Sequence, residues 1–274
     1  MVGNTSRGLF LLLAGEQVVF LSFEHWRGPL TLNIDTPQPW LRTVTPGALA
    51  AVQPGRLCFE PPNGIVQFQQ AVRWSADPLP AALLPPEQRR ERLMSLAQVT
   101  AADKCGAGFA PLLLPFLRHT PAPEDAAEVN APALLQTLTA LQTTLRQADL
   151  DATVRLLTPY MGLGRGLTPS GDDLIAGVLL AANRLPESVT NIPAALLPDL
   201  NARLSTLATR KTTRISANLL QAAAQGQADE RLIQALHAVI ANGLPLARAA
   251  HDLTTWGNSS GADALLGMTV VLST

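Results

Sequence analysis

Short apolar or alternating runs broken by turn residues fill positions 9 to 74 of the chain. Runs of this kind are typical of β-strands. The predicted strands span residues 9–13, 18–23, 30–34, 56–60 and 65–74. Asn63-Gly64 is a hairpin signal, because both residues tolerate the positive φ that a tight turn needs. Consecutive strands without long intervening helices favour an antiparallel β-barrel or sandwich.

From residue 85 onwards the apolar positions recur with the spacing of α-helices, after a charged stretch at 87–92. The predicted helices span residues 131–148, 150–158, 171–185, 192–209, 213–225, 229–241, 245–252 and 261–272. The proline-containing segment 121–130 is a predicted loop. The whole pattern predicts an α+β protein, with a β-rich domain over residues 1–80 and a larger, mainly helical domain over residues 85–274.

The chain has an unusually low content of charged residues. Charged residues make up 15% of the chain, against about 25% in an average soluble domain. Either a partner subunit covers apolar surface, or an Ala- and Leu-rich helical surface raises the average without forming a patch. The net charge is −1 and the Lys and Arg residues are scattered, so the sequence has no basic patch of the kind that binds nucleic acid.

Several common classes of site and location are excluded by the pattern. No apolar run reaches transmembrane length, and the run at 9–14 is too short for a signal peptide, so we expect a cytoplasmic protein with no membrane segment. Cys58 and Cys105 lack metal-ligand spacing, and the histidines are scattered. Neither a phosphate-binding P-loop nor a Gly-x-Ser-x-Gly nucleophile motif is present.

One pattern, Ser-Gly-x-Asp-x-apolar-x-Gly, occurs twice, at residues 170–177 and 260–267. Each copy leads into an apolar run, so each predicts the start of a helix. In each copy the serine is the predicted N-cap and the aspartate three residues later closes a capping box; these are Ser170, Asp173, Ser260 and Asp263. A helix start also attracts anions through its unpaired N–H groups.

The first copy carries more than a helix cap requires. Upstream lies the segment 162–169, Gly-Leu-Gly-Arg-Gly-Leu-Thr-Pro, whose glycines can wrap backbone N–H groups around a phosphate or carboxylate. Asp172 lies beside the capping Asp173, and adjacent carboxylates near hydroxyls suit Mg²⁺ held partly through waters and a bound phosphate. Asp172 is therefore the candidate catalytic residue and the candidate ligand for Mg²⁺, the only cofactor considered.

Both motif helices are apolar nearly all round, which is typical of helices inside a core. We expect them to pack in parallel through Gly177 and Gly267, so that both helix starts form one pocket. The predicted substrate-binding residues are Gly164, Gly166, Thr168, Ser170, Gly171, Thr213, Asn258, Ser259, Ser260 and Gly261. A purely structural interpretation stays open, because capping boxes are common and glycines also allow close helix packing.

A further polar cluster occupies residues 210–218. Thr213, Ser216 and Arg214 can approach one anion there, since a guanidinium matches carboxylate or phosphate geometry. The alternative is an ordinary helix start capped by Thr212 or Thr213. We assign Arg214 as the second candidate catalytic residue.

The two motifs, in this order and at this distance from the C-terminus, resemble a bacterial family of long-unassigned function. That family includes a subunit of oxamate carbamoyltransferase from anaerobic allantoin breakdown. The resemblance covers mainly residues 155–274. It departs from the family pattern at Arg165, where a proline is common, and at Asn258, where a histidine is common. Asn258 can orient a substrate but cannot transfer a proton at neutral pH.

The resemblance implies a hetero-oligomeric enzyme with partner subunits related to acyl-CoA synthetases. It also implies a reaction between carbamoyl phosphate and oxamate that yields oxalurate and phosphate. We therefore expect a carbamoyltransferase-like subunit that binds a small anionic substrate. The alternatives are a non-catalytic assembly subunit that docks a catalytic partner, and a Mg²⁺-nucleotide-dependent kinase or ligase.

Overall fold

A computed structural model describes residues 3–35, 39–60, 64–104, 106–122 and 130–273. The chain divides into two compact units, Met1–Ala76 and Asp77–Thr274. The first contains strands in two sheets and the second is mainly helical, so the predicted α+β class is confirmed.

The first unit contains a four-stranded and a three-stranded sheet, each with its strands in chain order. The strands are β1 (Gly3–Thr5), β2 (Gly8–Leu12), β3 (Val18–Ser22), β4 (Thr31–Asn33), β5 (Leu49–Gln53), β6 (Arg56–Glu60) and β7 (Gly64–Gln67). Strands β3 and β4 pair in parallel, and the other pairs are antiparallel. The antiparallel expectation is thus wrong for β3 and β4, because the chain loops round and re-enters the sheet in the same direction.

Buried side chains from both sheets share one hydrophobic core. Leu9 and Leu21 of the first sheet lie in it with Leu57 and Phe59 of the second. This is the arrangement of a sandwich, in which two inner faces meet. The predicted strand at 65–74 ends at Gln67, and β1 and β5 were not predicted, because both lack a clear alternation of apolar and polar residues.

The helical unit contains eleven α-helices within its described residues. They are α1 (Pro86–Asp103), α2 (Leu113–Arg118), α3 (Ala131–Arg146), α4 (Leu150–Leu157), α5 (Ser170–Arg184), α6 (Glu187–Thr190), α7 (Leu197–Lys211), α8 (Arg214–Ala223), α9 (Glu230–Ile240), α10 (Leu246–Thr254) and α11 (Ser260–Leu272). None of the helices in the described ranges has the length and apolar character needed to cross a membrane.

Most helices from residue 131 onwards lie within a few residues of their predicted positions. The helix predicted at 192–209 instead begins at Leu197, after a 3-10 turn at Ala194–Leu196, since Pro198 favours the first turn of a helix over its interior. Cys105, the turn residues 61–63 and most of the predicted 121–130 loop lie outside the described residues.

Helices α5 and α11 form the centre of this unit. Along α11 every residue from Ser260 to Val271 is buried, and α5 is buried from Ser170 to Ala182. This complete burial explains why neither helix has a polar face.

Candidate functional site

Helices α5 and α11 touch through their backbones at two glycines. A Cβ atom on Gly177 would lie 1.9 Å from the carbonyl oxygen of Ala264, and one on Gly267 would lie 2.0 Å from that of Leu174. The starts of the helices also meet, because the Thr168 and Ser260 hydroxyl oxygens are 3.2 Å apart. The two helices therefore run in parallel, and the expected meeting of the two motifs is confirmed.

The segment before each helix repeats the same backbone contacts. The motif glycines, Gly171 and Gly261, donate their N–H groups to the carbonyl oxygens of Leu163 and Trp256. The same glycines pack against a second carbonyl three residues earlier in the chain, that of Tyr160 in the first copy and Leu253 in the second. The repeated sequence therefore makes the same backbone contacts in both copies, and the copies touch each other reciprocally, Gly177 at Ala264 and Gly267 at Leu174.

The copies differ in the length of the turn before the helix. In the first copy Gly164 lies against Ser170, and in the second Gly257 lies against Ser260. Five residues, 165–169, separate the first pair, whereas residues 258 and 259 separate the second. The longer first turn is exposed from Gly164 to Leu167.

The predicted capping boxes are absent. Ser170 and Ser260 are the first residues of their helices, and the preceding Pro169 and Ser259 make no side-chain cap. Gly171 and Gly261 face neighbouring carbonyl oxygens on the side where a Cβ atom would lie. The hydrogen-bonded carbonyl oxygens lie eight residues before Gly171 and five before Gly261, outside the motif, so the motif pattern alone does not show these contacts.

Asp172 links the glycine-rich segment to the chain before α8. Its Oδ1 accepts a hydrogen bond from the Gly162 N–H at 2.8 Å, and its Oδ2 accepts one from the Thr212 hydroxyl. Asp172 is 2% exposed. Burial raises the pKa of Asp172, while the bonds from Thr212 and Gly162 and the nearby Ser216 hydroxyl oppose that rise.

The start of α8 lies beside the same segment. Thr213 caps α8 by accepting a hydrogen bond from the Ser216 N–H at 3.1 Å, as the alternative interpretation expected. Its hydroxyl also donates to the Leu167 carbonyl oxygen at 2.7 Å. Arg214 is the first residue of α8 and is exposed. The residues before α5 thus contact the starts of both α8 and α11.

The predicted binding residues divide into an exposed rim and a buried floor. Gly164, Gly166 and Asn258 are exposed, and Thr168, Thr213 and Ser259 are partly exposed. Ser170 and Ser260 are each 8% exposed. The structure brings these residues to one face of the unit, at the starts of α5, α8 and α11.

Asp173 and Asp263 occupy equivalent positions on the two helices and are both buried. The Phe109 N–H donates to Asp263 Oδ1 at 2.6 Å. Burial raises the pKa of Asp173 well above its usual value, the Ser260 hydroxyl opposes the rise, and the charges of Asp263 and Asp172 add to it. The two aspartates therefore form a buried carboxyl pair between the helices, and the predicted capping role does not describe them.

The carboxylates do not fit a Mg²⁺ site. Both oxygens of Asp172 and one oxygen of Asp263 already accept hydrogen bonds from protein donors. Across the described residues no group of three or more His, Cys, Asp or Glu side chains is placed to hold a metal ion. No chemical step is therefore assigned to a metal ion at Asp172.

Sequence reasoning missed the segment that covers Asp263. Gly108 has a φ of +50°, and a Cβ atom there would lie 2.4 Å from Asp263 Oδ1. Thr212, which holds Asp172, was considered only as a helix cap. The pair Gly106 and Gly108 in the sequence was the available signal, because closely spaced glycines often mark a close backbone approach.

The raised pKa of Asp173 predicts how stability depends on pH. The folded state holds a proton that the unfolded state releases above its ordinary pKa of 3.8, so stability falls as pH rises from that value towards the folded pKa. Asp173→Asn removes this loss. We expect the variant to gain melting temperature relative to the native chain as pH rises from about 5 to 8. A constant difference across that range would show that Asp173 ionises normally.

A comparison with family models matches the part of the chain that contains these residues. Residues 160–272 match the family model of the oxamate carbamoyltransferase subunit AllH. No solved structure matches the chain. The matched segment begins just before the glycine-rich turn and includes α5, α8 and α11. The family resemblance inferred from the two motifs is therefore confirmed over the part of the chain that carries both of them: it matches AllH, a subunit of oxamate carbamoyltransferase.

Proposed function

We propose that this chain is a subunit of a hetero-oligomeric carbamoyltransferase of the oxamate type and binds a phosphate- or carboxylate-bearing substrate. The binding site is the exposed face where α5, α8 and α11 begin. The observation that carries the proposal is the meeting of the three helix starts around residues 162–169, through the contacts of Thr168 with Ser260 and of Thr213 with Leu167.

This face has the donors that an anion needs. Within the described part of the chain, the backbone N–H groups of residues 165–168 donate no hydrogen bond to protein atoms. Gly164 and Gly166 have φ values of +118° and +95°, which expose successive backbone N–H groups on a turn. Arg165 and Arg214 add positive charge at the exposed rim. Helix starts, free N–H groups and guanidinium groups together favour a phosphate or carboxylate.

Carbamoyl transfer needs stabilisation of the departing phosphate and correct positioning of the reactants, and this face can supply both. The amide nitrogen of oxamate attacks the carbonyl carbon of carbamoyl phosphate, phosphate departs with the electrons of the broken C–O bond, and the proton that the nitrogen loses passes to the departing phosphate. Arg214 and the turn N–H groups stabilise the negative charge of the departing phosphate. Asp172, held behind the turn, maintains the distance between the turn and α8. We assign it a positioning role, since its buried carboxylate oxygens are engaged by Gly162 and Thr212.

The family resemblance implies partner subunits related to acyl-CoA synthetases, and we include these partners in the proposed complex. Under the assembly alternative, the same contacts would only hold α5 and α11 together, and the isolated chain would bind no substrate. Ligand binding by the purified chain therefore separates the two functions.

Arg214→Gln tests the site against a matched control, Arg210→Gln. Both arginines are exposed and lie four residues apart, but only Arg214 begins α8 beside the turn. We expect calorimetric titrations with carbamoyl phosphate, oxamate and inorganic phosphate to show binding by the native chain. Arg214→Gln should weaken it about tenfold, because a charge-assisted hydrogen bond is lost.

The control Arg210→Gln should bind like the native chain. Equal losses in both variants would mean that only the general positive charge of the region matters. No binding of any of the three anions by the native chain would favour the assembly function over a substrate site in this subunit.

A further inference from the structure

We infer that Asp173 and Asp263 share one proton at neutral pH, and that this proton orients the hydrogen-bonded hydroxyl groups of Thr168 and Ser260 so that one of them donates to the bound anion. The inference rests on the proposed anion site. It adds that the protonation state of the buried carboxyl pair controls hydrogen-bond donation to the anion. Asp173 is thereby a positioning residue, which acts on the ligand through the two hydroxyl groups.

The carboxyl pair is enclosed on every side by protein. Asp173 is 2% exposed and Asp263 is fully buried. The backbone at Gly108 is so close that a Cβ atom there would lie 2.4 and 2.7 Å from the two Asp263 oxygens. Two negative charges in so enclosed a place are costly, so such a pair retains a proton.

The hydrogen bonds of the pair agree with a neutral Asp173. Its Oδ2 atom is buried and has no hydrogen-bond partner within the described ranges of the chain. A carboxylate would need donors at both oxygens, whereas a protonated carboxyl can itself donate. The Oδ1 atom of Asp263 accepts the Phe109 N–H, so this oxygen does not carry the shared proton.

The charged groups acting on Asp173 are carboxylates. Asp263 faces it from α11 and Asp172 lies beside it on α5, and both raise its pKa. The arginines of the neighbouring turn and of α8, Arg165 and Arg214, are exposed at the rim. The covering segment contributes the uncharged residues 106–109.

The state of this proton decides what the hydroxyl groups offer to a ligand. Ser260 and Thr168 lie next to Asp173, and their hydroxyl oxygens are 3.2 Å apart. If Asp173 is ionised, both hydroxyl protons are drawn inward to the carboxylate and lone pairs face the anion. If Asp173 is protonated, it donates to one hydroxyl oxygen, that hydroxyl donates to the other across the 3.2 Å contact, and the second hydroxyl proton is available to an anion above.

Proton occupancy and anion affinity should therefore change together. Oxamate and sulfate are suitable probes, because their charges are constant across the working range. We expect infrared difference spectra between the native chain and Asp173→Asn to show the C=O stretch of a neutral carboxylic acid at neutral pH. Calorimetric affinity should remain level at every pH where this band persists and should fall about tenfold per pH unit once it fades.

Two variants sharpen the test. An amide at position 173 can donate to a hydroxyl oxygen as the protonated acid does, so Asp173→Asn should keep its affinity within about threefold and lose any pH dependence. Asp263→Asn removes a neighbouring negative charge, so the band should fade at lower pH than in the native chain.

The inference is overturned by the absence of the band at neutral pH, by a fall in affinity while the band persists, or by full affinity after it has gone. Failure of the native chain to bind either probe at any pH would count instead against the anion site. The infrared band would still decide whether the pair holds a proton, so the two failures are distinguishable.

Discussion

Gly177→Ala is expected to destabilise the helical unit by about 3 kcal/mol, the upper end for overpacking a core. The new methyl group would lie 1.9 Å from the carbonyl oxygen of Ala264 and 3.0 Å from its Cα atom. These are backbone atoms inside a buried helix pair, so no side chain can rotate away. For a unit of this size the loss corresponds to a fall in melting temperature of about 6 to 12 °C.

Gly177→Ala is informative because the expected loss of stability is opposite in sign to the usual effect of this substitution in a helix. In an ordinary helix, replacing glycine with alanine stabilises the helix by about 1 kcal/mol. Gly267→Ala should match Gly177→Ala, because its methyl group would lie 2.0 Å from the Leu174 carbonyl oxygen. Gly3→Ala is the control, since a Cβ atom there would be 3.6 Å from Phe10, an ordinary contact. An unchanged or higher melting temperature for Gly177→Ala would contradict the close helix contact.

Gly164→Ala is expected to weaken anion binding about a hundredfold, the effect of displacing a binding group by about 1 Å. Gly164 has a φ of +118°, and its new Cβ atom would lie 2.7 Å from the backbone nitrogen of Ser170. The turn must therefore move away from the first residue of α5. Calorimetric titration with oxamate and inorganic phosphate measures the loss, and circular dichroism checks that the variant is folded.

Gly166→Ala is a matched control within the same turn. Its φ of +95° imposes similar backbone strain, but a Cβ atom there meets nothing within 4 Å. We expect its affinity to remain within about threefold of the native value, since the strain is present with and without ligand. Equal losses in both variants would show that strain of the turn, and not its distance from Ser170, controls binding.

Much of the helical unit could be predicted from local patterns. The apolar repeat of the segment at 131–148 and the glycine and proline residues near helix ends placed most helices to within a few residues. The segment at 192–209 was placed less well, because its two prolines made the first turn irregular. Strand β5, Leu-Ala-Ala-Val-Gln, escaped notice because its residues do not alternate and much of it is exposed.

The chemistry of the motif residues could not be assigned in the same way. Asp173 and Asp263 have the spacing of capping residues, and only the opposite helix makes them a carboxyl pair. Asp172 resembled a metal ligand until Gly162 and Thr212 were seen to occupy its oxygens. The segment at 106–109 lies far from both motifs in the chain, and its two glycines indicate a close backbone approach without identifying Asp263 as the residue approached.

The sequence by itself determined the α+β class, most helix positions and the duplication of the Ser-Gly-x-Asp motif, because these depend on residue types and spacings within one segment. The tertiary structure decided that the two motifs meet, that Asp172 holds the turn against the chain before α8, and that the charge of Asp263 acts on Asp173. These contacts join residues up to about 150 positions apart, as between Phe109 and Asp263. Their hydrogen bonds and desolvation arise only when the helices have packed, which is why the sequence pattern could not predict them.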